Sequence, residues 1–250
     1  MQDRLVSIIT PSYRSQKFIA QTIESVLAQS YQEWEMIIVD DCSPDNANEI
    51  ISSYIQQDPR IKLIKLEKNS GAAAARNEAI KEAKGRYIAF LDADDLWMED
   101  KLKKQIAFMQ KKGALLCYSA YNVIDESEND MGCFVPKDEL SYKDLLKTNQ
   151  IGCLTAIYDA KELGKLYMPL IKKRQDYALW LKILKKIDYA YGLKEPLATY
   201  RVLNRSLSSN KVNAALYQWR IYTEIEKLGI LKSLYYFSYY AFYGIKKYKN

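Results

Sequence analysis

"RYIAFLDADDLWMED" occupies Arg86–Asp100. Its apolar part, Tyr87–Leu91, reads as a buried strand. It stops abruptly at Asp92, Asp94 and Asp95. Carboxylates this close repel one another, and each resists burial. A single Asp after a strand is usually a turn residue or a helix cap. Three together call for a partner that relieves the repulsion, and a hard divalent cation does so.

The segments on either side set the frame. "LVSIIT" (5–10), "EMIIVDD" (35–41), "IKLIKL" (61–66) and "ALLCYS" (114–119) read as further buried strands. Between them, 17–30, 46–57, 71–85 and 99–113 carry helical apolar spacing or an Ala-rich run. Strands alternating with helices of this length predict an α/β fold with a largely parallel sheet. Such sheets bind ligands beyond the carboxyl ends of their strands. Both "IIVDD" and "AFLDADD" place acids there.

Composition narrows the chemistry. The chain has 250 residues, a net charge of +6, four cysteines and no histidine. A Ser-His or Cys-His couple and a His-ligated metal are therefore excluded. Acid–base work falls to Asp, Glu, Lys, Tyr or Cys. The charge is too small to point to nucleic acid. Cys42, Cys117, Cys133 and Cys153 form no CxxC pair and read as reduced cytosolic thiols. The N-terminus reads as a strand, not a signal peptide.

The second half is less regular. Residues 123–141 are polar and turn-rich and read as a loop or lid. "DYALWLKILKKI" (176–187) carries an apolar helical stripe, with Asp176 at its start in the place of an N-cap. Residues 230–250 hold six tyrosines, two phenylalanines and four lysines with no acid, too interrupted to span a bilayer. Such a helix suits a lipid interface, and equally a packed face or a homodimer contact.

A strand ending in Asp-x-Asp also occurs in haloacid-type phosphatases, which want Thr or Val after the second Asp, where Asp95 stands here. Receiver domains pair acids after the first strand, and nucleotidyltransferases open with a Gly-rich loop where this chain has "TPSYRSQKF". The ordered set "VSIITPSYRSQKF", "IIVDDCSPDN", "NSGAAAARNEAI", "GRYIAFLDADDLWMEDKL", "RQDYALWLKIL" and "EPLATYRVLNRSLSSNK" resembles glycosyltransferase family 2, over about the first 210 residues. That resemblance implies a GT-A fold: a Rossmann-like nucleotide half at 1–112, an acceptor half at 113–215, then a helical tail at 216–250.

It also implies roles. Thr10, Pro11 and Tyr13 would wall the nucleotide pocket, and Asp41 would meet the uracil imide. Arg76 would lie near the base or diphosphate, and Asp92 near sugar or ribose hydroxyls. Asp94 would ligate Mn2+ or Mg2+, with Asp95 in support. Asp176 would be the base, although Gln175 replaces the usual acid before it. Arg201, with Ser206 and Ser208, would close over the diphosphate. Leu203 stands where many relatives have His, leaving any such contact to Arg201 or Arg205. Gly152, Thr155 and Trp180 would lie on the acceptor side.

The implied activity is metal-dependent, inverting transfer of a hexose from a UDP-sugar to a glycan, lipid-linked as in surface polysaccharide synthesis. The protein would be cytoplasmic, docked at the inner face of the membrane through 230–250. Another nucleotide-using enzyme, or a non-catalytic binding member of the fold, remains open at this point.

Overall fold

β1 (Gln2–Ser12), α1 (Ile19–Leu27), β2 (Trp34–Asp40), α2 (Ala47–Ile55), β3 (Ile61–Lys65), α3 (Ala72–Glu82) and β4 (Gly85–Phe90) follow one another in the computed structural model, which describes residues 1–203 and 211–246. β1 lies parallel to both β2 and β4, and β2 parallel to β3. Every residue of β2 is buried, as expected of a strand covered by helices on both faces. Alternate side chains feed two cores. Ile9, Ile37, Val39, Ile88 and Phe90 face α3 and the helices that follow later in the chain. Ile8, Met36, Ile38, Tyr87 and Ala89 face α1.

The chain continues through β5 (Leu96–Trp97), α4 (Lys101–Lys112), β6 (Leu116–Ile124), β7 (Asp130–Phe134), β8 (Glu139–Leu140) and α5 (Tyr142–Lys147). A 3-10 turn (Cys153–Thr155), β9 (Ile157–Asp159), α6 (Ala160–Leu163), α7 (Gln175–Leu184) and β10 (Ala190–Arg201) complete the sheet region. The strand order is β3-β2-β1-β4-β9-β6-β10-β5, with β7 on β6 and β8 on β10. β9 runs antiparallel to β4 and β6. The sheet is therefore mixed, and the two halves share it.

One expectation needs correction, and one element had no sequence signal. Residues 123–141 are not a free loop: they contain the end of β6, all of β7 and β8, and the buried Leu140. Their polarity follows from the exposure of β7, which pairs only with β6. The segment opening "EPLATYR" is the second half of an internal strand, β10, between β6 and β5. Pro196 hid it, and the register slips on either side of that proline.

α8 (Lys211–Arg220), a π-helical turn (Ile221–Ile225) and α9 (Ile230–Lys246) follow, so residues 215 and 216 lie within one helix. Arg205, Ser206 and Ser208 lie outside the described residues. On α9, Ser233 is buried, and Tyr236 and Phe237 pack against the core. Tyr240 accepts a hydrogen bond from Arg174 at 2.9 Å. Leu231, Leu234, Tyr235 and Phe242 are exposed, Leu231 at 83 %. No helix among the described residues is long and apolar enough to cross a membrane.

Candidate active site

β4 delivers the acids to the carboxyl edge of the sheet. The Asp95 N–H donates to Asp92 O at 3.1 Å, which closes a tight turn. Asp92 is half-buried and takes Arg76 Nη2 at 2.5 Å. Arg76 is buried on α3, and its Nε has no partner. Asp94 is half-buried and meets no side-chain donor among the described residues. Burial, then the charge of Asp92, pushes its carboxyl up to about 6. Asp95 is fully buried, and its carboxyl is raised well above the ordinary value, first by burial and then by Asp94.

Arg201 holds this turn from behind. Its N–H donates to Asp95 Oδ1 at 2.9 Å and its Nε to Asp94 O at 3.1 Å. Nη2 donates to Gln21 Oε1 at 2.8 Å, and Glu128 lies 3.5 Å away. The guanidinium sits 4.5 Å over the Phe18 ring. With its side chain 1 % exposed, Arg201 faces inward onto this turn. Gln21 and Glu128, which share its guanidinium, were not singled out by the sequence pattern.

Asp176 arrives from a distant part of the chain. It lies in the first turn of α7, two residues after Arg174, which enters the helix in a left-handed conformation (φ 61°). It is therefore inside the helix rather than its N-cap. Burial raises its carboxyl above the usual range; the Tyr177 N–H and Arg76 oppose this, and Asp92 adds to it. Arg76, Asp92 and Asp176 thus act on one another from α3, the end of β4 and α7. The Cys153 thiol feels the same three groups, with burial the largest influence on it. Cys153 was missed, although it stands inside "IGCLT", between Gly152 and Thr155.

The residues expected on the nucleotide side line up along the ends of β1 and β2. Thr10 is fully buried and its Oγ1 has no partner among the described residues. Pro11 is half-buried, and Tyr13 is 45 % exposed. Asp41 is buried, and its carboxylate accepts from the Ser70 and Gly71 N–H groups at 2.6 and 2.8 Å. It therefore ties the end of β2 to the start of α3. A carboxylate has about four acceptor sites, so two remain in principle for a further donor.

On the acceptor side, Gly152 is half-buried under Tyr121: a Cβ there would meet Tyr121 Cε1 at 2.9 Å. Thr155 and Trp180 have no exposed surface. Thr155 Oγ1 donates to Gly152 O at 2.8 Å, and Trp180 packs edge-on against Phe90 at 5.3 Å. Both are enclosed in the protein, and Trp180 is part of the core, as its place in the apolar stripe of α7 suggests.

No three acidic or cysteine side chains among the described residues converge as a metal cage. A half-buried carboxylate with no side-chain donor, pressed by a neighbouring one, nevertheless suits a hard cation whose other ligands are phosphate and water.

Comparison with known proteins decides the family. The Glycosyl transferase family 2 model matches residues 7–158. The chain belongs to that family. Curated relatives match it well beyond those residues. The putative teichuronic acid biosynthesis glycosyltransferase TuaG of Bacillus subtilis is 47 % identical over 244 residues, 97 % of each chain. The Escherichia coli UDP-Glc:alpha-D-GlcNAc-diphosphoundecaprenol beta-1,3-glucosyltransferase WfgD is 40 % identical over 255 residues, 100 % of this chain and 99 % of that one. Among solved structures, S. aureus TarS 1–349 in complex with UDP aligns with TM-score 0.67 at 25 % identity, over 79 % of this chain and 60 % of that one. As a family 2 member with this fold, the protein is a glycosyltransferase.

Proposed function

We propose that the protein moves a hexose from a UDP donor to a lipid-linked glycan, with inversion at the anomeric carbon. The observation that supports this is the convergence of Arg76, Asp92 and Asp176 from three separate elements beside the acidic turn. Asp176 takes the proton of the acceptor hydroxyl. The acceptor oxygen then bonds to the anomeric carbon as the bond to UDP breaks, and UDP leaves with the electron pair. Attack from the opposite face turns an α-linked donor into a β-linked product. The raised carboxyl of Asp176 suits it to this work, because a base with a higher pKa removes a hydroxyl proton more readily.

Asp92, fixed by Arg76, faces the sugar or ribose hydroxyls, and Thr10, Pro11, Tyr13 and Asp41 wall the nucleotide. Asp94 would hold Mn2+ or Mg2+, with Asp95 and Arg201 shaping the turn. When bound, the cation offsets the negative charge that develops on the departing diphosphate. Gly152 lies at the acceptor wall.

The exposed face of α9 fits the same reading. Ile230, Leu231, Leu234, Tyr235 and Phe242 point away from the domain, and lysines flank them in sequence. An aromatic and basic face of this kind docks at the surface of an anionic membrane, where a lipid-linked acceptor resides.

The test is transfer from UDP-glucose to a GlcNAc-diphosphate lipid, the pair named for the Escherichia coli relative, extended to other UDP-hexoses. Asp176→Asn is expected to lower turnover by about a thousandfold and leave UDP affinity unchanged. Because the Asp176 carboxyl is raised and must be ionised to act, wild-type turnover should rise with pH along a limb above the ordinary ~4 of a free Asp. Full turnover by the Asn variant would remove Asp176 from the mechanism.

A further inference from the structure

The motif "DLWMEDKLKKQ" (95–105) runs on from the acidic turn, but only its first residue enters the chemistry above. Its remaining conspicuous members, Trp97, Lys101 and Gln105, come together in the core. Lys101 is fully buried at the first position of α4. No carboxylate pairs with it among the described residues. Its ammonium lies 4.1 Å from the Trp97 ring centroid and donates to Gln105 Oε1 at 2.6 Å. Burial pushes it down to about 7. A helix N-terminus is also the wrong end for a cation. Stability alone does not account for this lysine, since burying a charge without an opposite charge beside it costs free energy.

What Lys101 touches is informative. Trp97 Nε1 donates to Leu154 O at 2.8 Å, and Gln105 Nε2 donates to Thr155 O at 2.9 Å. The other carbonyls of this turn are satisfied within it: Gly152 O by Thr155, and Cys153 O by the Ala156 N–H. All four carbonyls from 152 to 155 are therefore held. Lys101 donates to Gln105 Oε1 and Gln105 Nε2 donates to the Thr155 carbonyl, so the amide is held at both ends. Without Lys101, Gln105 Oε1 loses its donor in a buried place, and the amide keeps only one of its two anchors.

We infer that Trp97, Lys101 and Gln105 form a brace that positions the 152–155 turn, and with it Gly152 and Cys153, against the catalytic groups. The three are positioning residues, since none of them touches the reacting atoms. The inference rests on reading that turn as the acceptor-side wall. Cys153 of this turn is partly buried and lies within the field of Arg76, Asp92 and Asp176.

Cys153 also reports on the brace without any substrate. Iodoacetamide labelling of the intact protein, resolved by peptide mass spectrometry, gives a rate for each thiol, with exposed Cys42 and Cys133 as internal standards. In Lys101→Met, Cys153 should label about tenfold faster, through local opening, with no fall in the urea unfolding midpoint. Trp97→Phe keeps a ring against Lys101 but deletes the donor to Leu154; it should show a smaller rise and carries the test if Lys101→Met does not fold. In transfer assays both variants should raise the acceptor KM and leave UDP affinity alone. An unchanged Cys153 rate in the folded variants would overturn the brace, as would a rise that merely tracks a lowered midpoint. Because labelling needs neither donor nor acceptor, failure of the proposed transfer reaction leaves this result readable.

Discussion

On the donor side of the site, Asp92, Asp94 and Asp95 crowd one turn, and Arg76 answers only the first of them with a close ion pair. On the acceptor side, each carbonyl from Gly152 to Thr155 already has its donor. One wall holds charge that needs a ligand to complete it; the other is finished before any ligand arrives. The contrast is the one the proposed function calls for. A nucleoside diphosphate brings concentrated charge, and a site for it gains by presenting groups that only the bound complex balances. A glycan acceptor is neutral at the reacting hydroxyl, and its recognition depends on shape held in advance.

Arg201 is where this contrast can be broken most severely. Its guanidinium is the rigid support beneath the unbalanced wall. Arg201→Met would leave Asp94 O and Gln21 short of a donor and Asp95 without its nearest cation, at a cost of about 2–3 kcal/mol. Urea unfolding measures this. A loss within about 0.5 kcal/mol, the range of ordinary surface changes, would mean that the acidic turn holds its shape unaided.

A smaller effect separates the site from its surroundings. Leu231 and Phe242 are exposed on α9, while Tyr236, Phe237 and Tyr240 anchor the helix to the domain. The double variant Leu231→Asp with Phe242→Asp should bind vesicles containing anionic lipid about tenfold more weakly, since two side chains resting at the interface recover only part of the about 1.5–3 kcal/mol that full burial of each would give. Its melting temperature should not move. Unaltered vesicle binding, or a change from dimer to monomer instead, would assign that face to another role.

The parallel half was readable in sequence because its strands are buried on both faces and its helices carry plain apolar stripes. The two acids of "IIVDD" and the three of "FLDADD" stood out because charge directly after a buried run is costly. β10 was not readable, since Pro196, Glu195 and Lys194 interrupt it, and it is held in place by β6 and β5 rather than by its own pattern. The same limit applies to the site. Asp176 was marked by its helix start, but the burial of Arg201, Thr155 and Trp180 depends on contacts far away in sequence. The partnership of Trp97 and Gln105 with the 152–155 turn spans some fifty residues, with no local signature.

The central claim is that the acidic turn receives a metal-bound nucleotide. Calorimetric titration of UDP with Mn2+, with a chelator, and with Asp94→Ala tests it directly. The account predicts binding that requires the metal and disappears in the variant while its fold persists. Binding of equal strength with and without metal, or retained in Asp94→Ala, would contradict it.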